Sequence, residues 1–106
     1  MPDFFFTLAD NTLHVDGEIH DPDAAAFRAA LAATHCPRLD LLDLDLEDGV
    51  SVAETVNALR TLLARHSTLT LLHAPQMLAH TLYKVGMLQD GRLVLVRPRV
   101  ESPTVA

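Results

Sequence analysis

Leucines interspersed with aspartates run from Leu39 to Leu46 (Leu-Asp-Leu-Leu-Asp-Leu-Asp-Leu), and apolar residues then recur at the helical period over Val52, Val56, Leu59 and Leu63. The first pattern predicts a buried strand and the second a helix, joined by the turn Glu47-Asp-Gly-Val-Ser51. Ser51 followed by Glu54 has the form of a capping box, which marks the helix start. Upstream, Phe4 to Leu8 predicts an edge strand and Asp10-Asn11 a turn. Thr12 to Ile19, where Leu13, Val15 and Gly17 alternate with His14, Asp16 and Glu18, predicts a second strand in a hairpin with the first. Asp21-Pro22 opens another helix, with Asp21 as N-cap and Ala24, Phe27, Ala30 and Leu31 inward. Downstream, Leu69 to Leu72 predicts a strand. Pro75 starts a third helix with Met77, Leu78, Leu82 and Val85 inward, and Gly86 ends it. Leu93 to Val96 is the last strand. The order β-β-α-β-α-β-α-β implies an α/β domain whose mixed, mostly parallel sheet packs against helices. The domain is expected over residues 1–98, with a loose tail over 99–106.

Composition narrows the function. The 106 residues are enough for one core, and 49% hydrophobic content belongs to a globular chain. The net charge of −6 argues against nucleic acid and against anionic lipid as partners. A lone cysteine, Cys36, forms no internal disulfide and suggests a reducing, cytoplasmic setting. The N-terminal residues resemble neither a signal peptide nor a membrane span, so no direct membrane insertion is expected.

Candidate chemistry is sparse. The six histidines lack the spacing of a helical metal site, and Cys36 has no partner cysteine. Asp40, Asp43, Asp45, Glu47 and Asp48 read as the solvent side of a strand and its turn rather than as a cation site. There is no Gly-x-Ser-x-Gly elbow and no phosphate-cradling loop followed by lysine. The reading is therefore of a protein that is not an enzyme, with no metal and no cofactor.

Three short stretches, in order along residues 4 to 96, carry a family resemblance. They are Gly17-Glu18-Ile19-His20 before an alanine-rich helix, Leu39-Asp40-Leu41 followed by Asp48, and Val85-Gly86-Met87 closing the third helix. This arrangement resembles the STAS domain, the fold of the anti-sigma factor antagonists. The resemblance implies a cytoplasmic bacterial signalling protein that regulates transcription by binding an anti-sigma factor with a serine-kinase fold. In that family the Ser or Thr after the loop aspartate accepts phosphate, and phosphorylation switches binding off. Here Gly49 stands in that position, so no such switch is expected there. Ser51 is the N-cap, or else the acceptor in a slipped register that loses the matches at Asp40 and Asp48. The partner-binding surface expected from the resemblance is Glu47, Asp48, Gly49, Val50 and Ser51 with Glu54, Thr55 and Ala58 on the exposed face of the helix, beside the turn Gly17 to Asp21. Two alternatives stand beside it: a STAS subunit binding the ATPase of an ABC-type lipid-transport complex, and a sensor of a nucleotide or other small ligand. The three consecutive phenylalanines of the edge strand Phe4 to Leu8 cannot all face one core, so that strand is expected as a candidate homodimer contact.

Overall fold

The computed structural model describes residues 3–47 and 49–99. Six strands and three helices run in the order β1 (Phe4–Ala9), β2 (Thr12–Ile19), α1 (Ala24–Ala32), β3 (Arg38–Asp40), β4 (Leu44–Leu46), α2 (Val50–Arg65), β5 (Leu69–Leu72), α3 (Gln76–Lys84) and β6 (Leu93–Val96). They form one sheet in the spatial order β1-β2-β3-β5-β6, with β4 also pairing β2. Among the described residues only β1 is antiparallel to its neighbour; every other pairing is parallel. The mixed, mostly parallel α/β architecture is thus the one the sequence predicts.

The buried apolar strand residues share one face: Leu13, Val15 and Ile19 on β2, Leu39 on β3, Leu69 and Leu71 on β5, Leu93 on β6. The helices supply the other half of the core through Phe27, Leu31, Val56, Leu59, Leu62, Leu78 and Leu82. Phe4 and Phe6 stack edge-on against Phe27, with centroids 5.2 and 6.3 Å away. The opposite sheet face, carrying Phe5, His14, Asp40 and Val94, is open.

Several local expectations are corrected. The expected strand Leu39–Leu46 is two strands. Leu41 and Leu42 are adjacent, so an unbroken strand would send Leu44 and Leu46 to the face opposite Leu39 and Leu41. The chain instead makes a tight turn, with Leu44 N–H donating to the Leu41 carbonyl at 3.1 Å and Leu42 N–H to Asp40 Oδ1 at 3.0 Å. This step returns Leu44 to the core. Asp21 does not cap α1; it begins a single 3-10 turn, Asp21–Asp23, that precedes the helix, and Ala30 is only half buried. On α3, Leu78 and Leu82 are buried but Met77 and Val85 are about half exposed, because α3 presents only a narrow stripe to the sheet. Gly86 (φ +80°) closes α3 in a Schellman pattern: Met87 N–H donates to the Leu82 carbonyl and Gly86 N–H to the Tyr83 carbonyl. Arg99, expected in the tail, is half buried and engaged with the sheet. Residues 100–106 lie outside the described residues.

Candidate functional site

The parallel strands β2 and β4 end side by side, and α2 begins directly after them. The Ile19 carbonyl, last of β2, holds the junction. It accepts the Glu47 N–H at 3.0 Å and the Ser51 hydroxyl at 2.9 Å. Glu18, Ile19, His20, Asp45, Leu46 and Glu47 line a recess of about 380 Å³ at this edge. His20 Nδ1 lies 2.9 Å from Glu47 Oε2, and His20 Nε2 lies 3.6 Å from Glu18 Oε2. The hydrogen bond to Glu47, followed by the charges of Glu47, Glu18 and Asp23, raises the imidazole pKa above its usual 6.5. The recess is rimmed by negative charge, and His20 is the basic group within it.

The start of α2 differs from the expected capping box. The helix begins at Val50, because Gly49 turns the chain with φ +74° and ψ −105°. A side chain at residue 49 would meet no atom within 4 Å, so only that backbone conformation calls for glycine there. Ser51 falls inside the first turn, fully buried, and its hydroxyl reaches Ile19 rather than a helix N–H. Glu54 likewise turns away from the helix start and pairs with Arg28 of α1 at 3.2 Å.

Of the eight residues the sequence assigns to partner binding, Glu47, Gly49 and Val50 are exposed and Glu54 is half buried. Ser51, Thr55 and Ala58 are fully buried, so the expected exposed face is corrected: Thr55 and Ala58 point into the core, and Thr55 donates its hydroxyl to the Ser51 carbonyl at 2.8 Å. The outward face of α2 is instead Val50, Ala53, Asn57, Arg60 and Thr61. The inward stripe is wider than Val52, Val56, Leu59 and Leu63 because α2 packs between α1 and α3 as well as on the sheet. The Ser51 hydroxyl, the acceptor of the slipped register, is likewise turned inward onto the Ile19 carbonyl rather than presented to solvent. Asp48 lies outside the described residues.

Two arrangements escaped the sequence reading. On the open sheet face Asp40 sits between His73 (Nδ1 to Oδ1, 2.9 Å) and His14 (Nδ1 to Oδ2, 3.5 Å). Burial alone would push the Asp40 carboxyl up. The His73 hydrogen bond, the Leu42 N–H and the two histidine charges overcome that and hold it below its usual range. The second is Arg99, which donates to the carbonyls of Leu41, Leu44 and His73 and lies 3.7 Å from Asp45. It ties the β3–β4 turn to the end of β5. Among the described residues no group of His, Cys, Asp and Glu side chains converges as metal ligands would, and no helix is long and apolar enough to cross a membrane.

No protein-family model matches the chain, and no curated protein matches it. Solved structures do match. One is a Thermotoga maritima protein described as a candidate anti-sigma factor antagonist, 14% identical, with a TM-score of 0.57 over 88% of this chain and 86% of that one. At that identity the likeness concerns the fold alone. The chain therefore has the STAS-type fold of the anti-sigma factor antagonists.

Proposed function

We propose that the chain is a non-catalytic regulatory domain of the anti-sigma factor antagonist kind. It docks on an anti-sigma factor with a serine-kinase fold through the leading end of α2, without a phosphate switch at that turn. The reading is carried by Gly49 and Val50: both are exposed at the helix start, with Val50 50% accessible, directly beside the acidic recess. Val50 would be the apolar centre of the contact, and Glu18, Glu47, Glu54 and Asn57 its polar rim. Such a rim calls for a basic patch on the partner. Gly49 has no hydroxyl, and the Ser51 hydroxyl is buried and engaged, which supports constitutive rather than switched binding.

The test is capture from the source cell with tagged wild-type and Val50→Asp chains. Aspartate is well tolerated in a first helical turn, so the variant should fold. The wild type should retain a kinase-fold anti-sigma factor, and the variant should retain roughly tenfold less. Capture of an ABC-type transport ATPase in its place, or equal retention by both chains, overturns the reading. Incubation with the captured kinase and ATP should leave the mass of the chain unchanged. Phosphate found on Ser51 would overturn the unswitched part.

A further inference from the structure

Among the described residues, β1 and β6 are the two ends of the strand path β1-β2-β3-β5-β6, and their outer edges are built differently. The β6 edge is four residues long and is followed by Arg97 in a left-handed conformation (φ +50°) and by Pro98. Those features blunt an edge against pairing. The β1 edge, Phe4-Phe-Phe-Thr-Leu-Ala9, is six residues long, without charge, proline or bulge, and fully in register with β2. On a chain of net charge −6 this uncharged strip is a place where two copies can approach.

The hydrogen-bond parity of β1 decides how. Glu18 N–H donates to the Asp3 carbonyl at 3.1 Å, so Asp3 and Glu18 are a hydrogen-bonded pair of the antiparallel ladder. The alternation then assigns Phe5, Thr7 and Ala9 to β2 as well, opposite Asp16, His14 and Thr12. The N–H and C=O groups of Phe4, Phe6 and Leu8 are left facing outward along the edge. The side chains have their own parity. Phe4 and Phe6 lie on the helix-covered face, and Leu8 follows them onto it but remains 67% exposed. Phe5, on the open face, is 62% exposed.

We propose that β1 pairs antiparallel with β1 of a second copy, about a two-fold axis through Phe6, to form a continuous sheet across a homodimer. In this register Phe6 meets Phe6 of the second copy and Phe4 meets Leu8, so every free backbone group on both edges finds a partner. Phe4 of the second copy covers the exposed Leu8. Phe5 lies opposite Thr7 as a close, non-hydrogen-bonded pair on the open face. Asp3 falls opposite Ala9, so the acidic residue at that end of the strip does not oppose its own kind. A shift by one residue along the strand would bring bonded groups against free ones, and a shift of the pairing by two leaves a free group at each end without a partner.

Sedimentation and light scattering of the full chain, up to about 500 μM, should show a monomer–dimer equilibrium with a dissociation constant on the order of 10–100 μM. The register is read by two exposed positions whose side chains are outside the core. Phe5→Glu should weaken the dimer roughly tenfold. Adding Thr7→Lys in the same chain should restore it, because the introduced carboxylate and ammonium then face each other twice across the axis. In a Cys36→Ser background, an equimolar mixture of Phe5→Cys and Thr7→Cys chains should form an intermolecular disulfide on mild oxidation, while neither chain alone does so at a comparable rate. A strict monomer throughout the concentration range, no rescue by Thr7→Lys, or cross-linking of Phe5→Cys with itself as fast as the mixture overturns the proposal.

Discussion

Ser51 donates its hydroxyl proton to the Ile19 carbonyl across 2.9 Å, joining the first turn of α2 to the last residue of β2. The same carbonyl accepts the Glu47 N–H. One oxygen thus fixes both chain segments that lead into the exposed Gly49–Val50 turn. A serine that sequence pattern assigns to capping or to modification is instead a buried strut. Ser51→Ala leaves Ile19 with its Glu47 bond and should cost about 1 kcal/mol. Ser51→Glu, which mimics a phosphate, forces a charge into a fully buried position and should cost about 3 kcal/mol or more. Urea unfolding monitored by circular dichroism gives both values. Wild-type stability for Ser51→Glu would mean that the position is open to solvent.

Gly17 is held by a close approach rather than by a turn. A Cβ placed there would lie 2.1 Å from the Asp3 carbonyl oxygen and 2.6 Å from Phe4 Cα, and φ is +137°. Both obstacles are backbone, so no rotamer change relieves them. Gly17→Ala should therefore cost about 3 kcal/mol or detach β1 from the sheet. Hydrogen exchange separates the outcomes, because detachment should deprotect the amides of Phe5, Thr7 and Ala9 while β2, β3 and β5 keep their protection.

Two groups set opposite pH limits. The folded-state pKa of His20 is raised, so its contribution is complete below the unfolded value of 6.5 and is lost as pH rises through the higher folded value. That of Asp40 is lowered, so its contribution is present above the unfolded value of 3.8 and is lost as pH falls through the lower folded value. Proton NMR titration should place the His20 transition above 6.5 in the wild type and bring it back toward 6.5 in Glu47→Gln. Removing the partner of Asp40 with His73→Asn should move the Asp40 transition upward. Unchanged titration curves would mean that these pairs do not form in solution.

The strands β2, β5 and β6 were legible to the residue, β2 from its alternation and β5 and β6 as short apolar runs bounded by turn signals or proline. The break between β3 and β4 was also written in the sequence, in the Leu41-Leu42 doublet, which a reading for apolar content alone overlooks. What stayed hidden depends on distance along the chain. Nothing near Ser51 announces a hydrogen bond to a residue 32 positions earlier. The outward side of α2 could not be read as the complement of one apolar stripe, since Thr55 and Ala58 are fully buried as well. Small and β-hydroxyl residues are ambiguous in this way: they suit a surface by polarity and a close helix contact by size. The grouping of His14, Asp40 and His73 needs three separate strands or strand ends brought side by side, and no local spacing encodes that.

Arg99 lies in a stretch whose composition suggests an unattached tail, yet its side chain is 19% exposed and its guanidinium donates to three main-chain carbonyls on two segments. Two of them, Leu41 and Leu44, flank the turn that returns β4 to the core. Without the arginine those carbonyls lose a charged donor, worth about 2–3 kcal/mol in total. Arg99→Lys should recover only part of this, because one ammonium cannot span the three acceptors that the planar fork reaches. A chain ended after Pro98 should lose at least as much stability as Arg99→Ala, because it also removes the Arg99 N–H bond to the Ala74 carbonyl, placing the end of the folded unit beyond Pro98. Equal urea midpoints for the wild type and the chain ended at Pro98 would show that Arg99 is an ornament on an already complete domain.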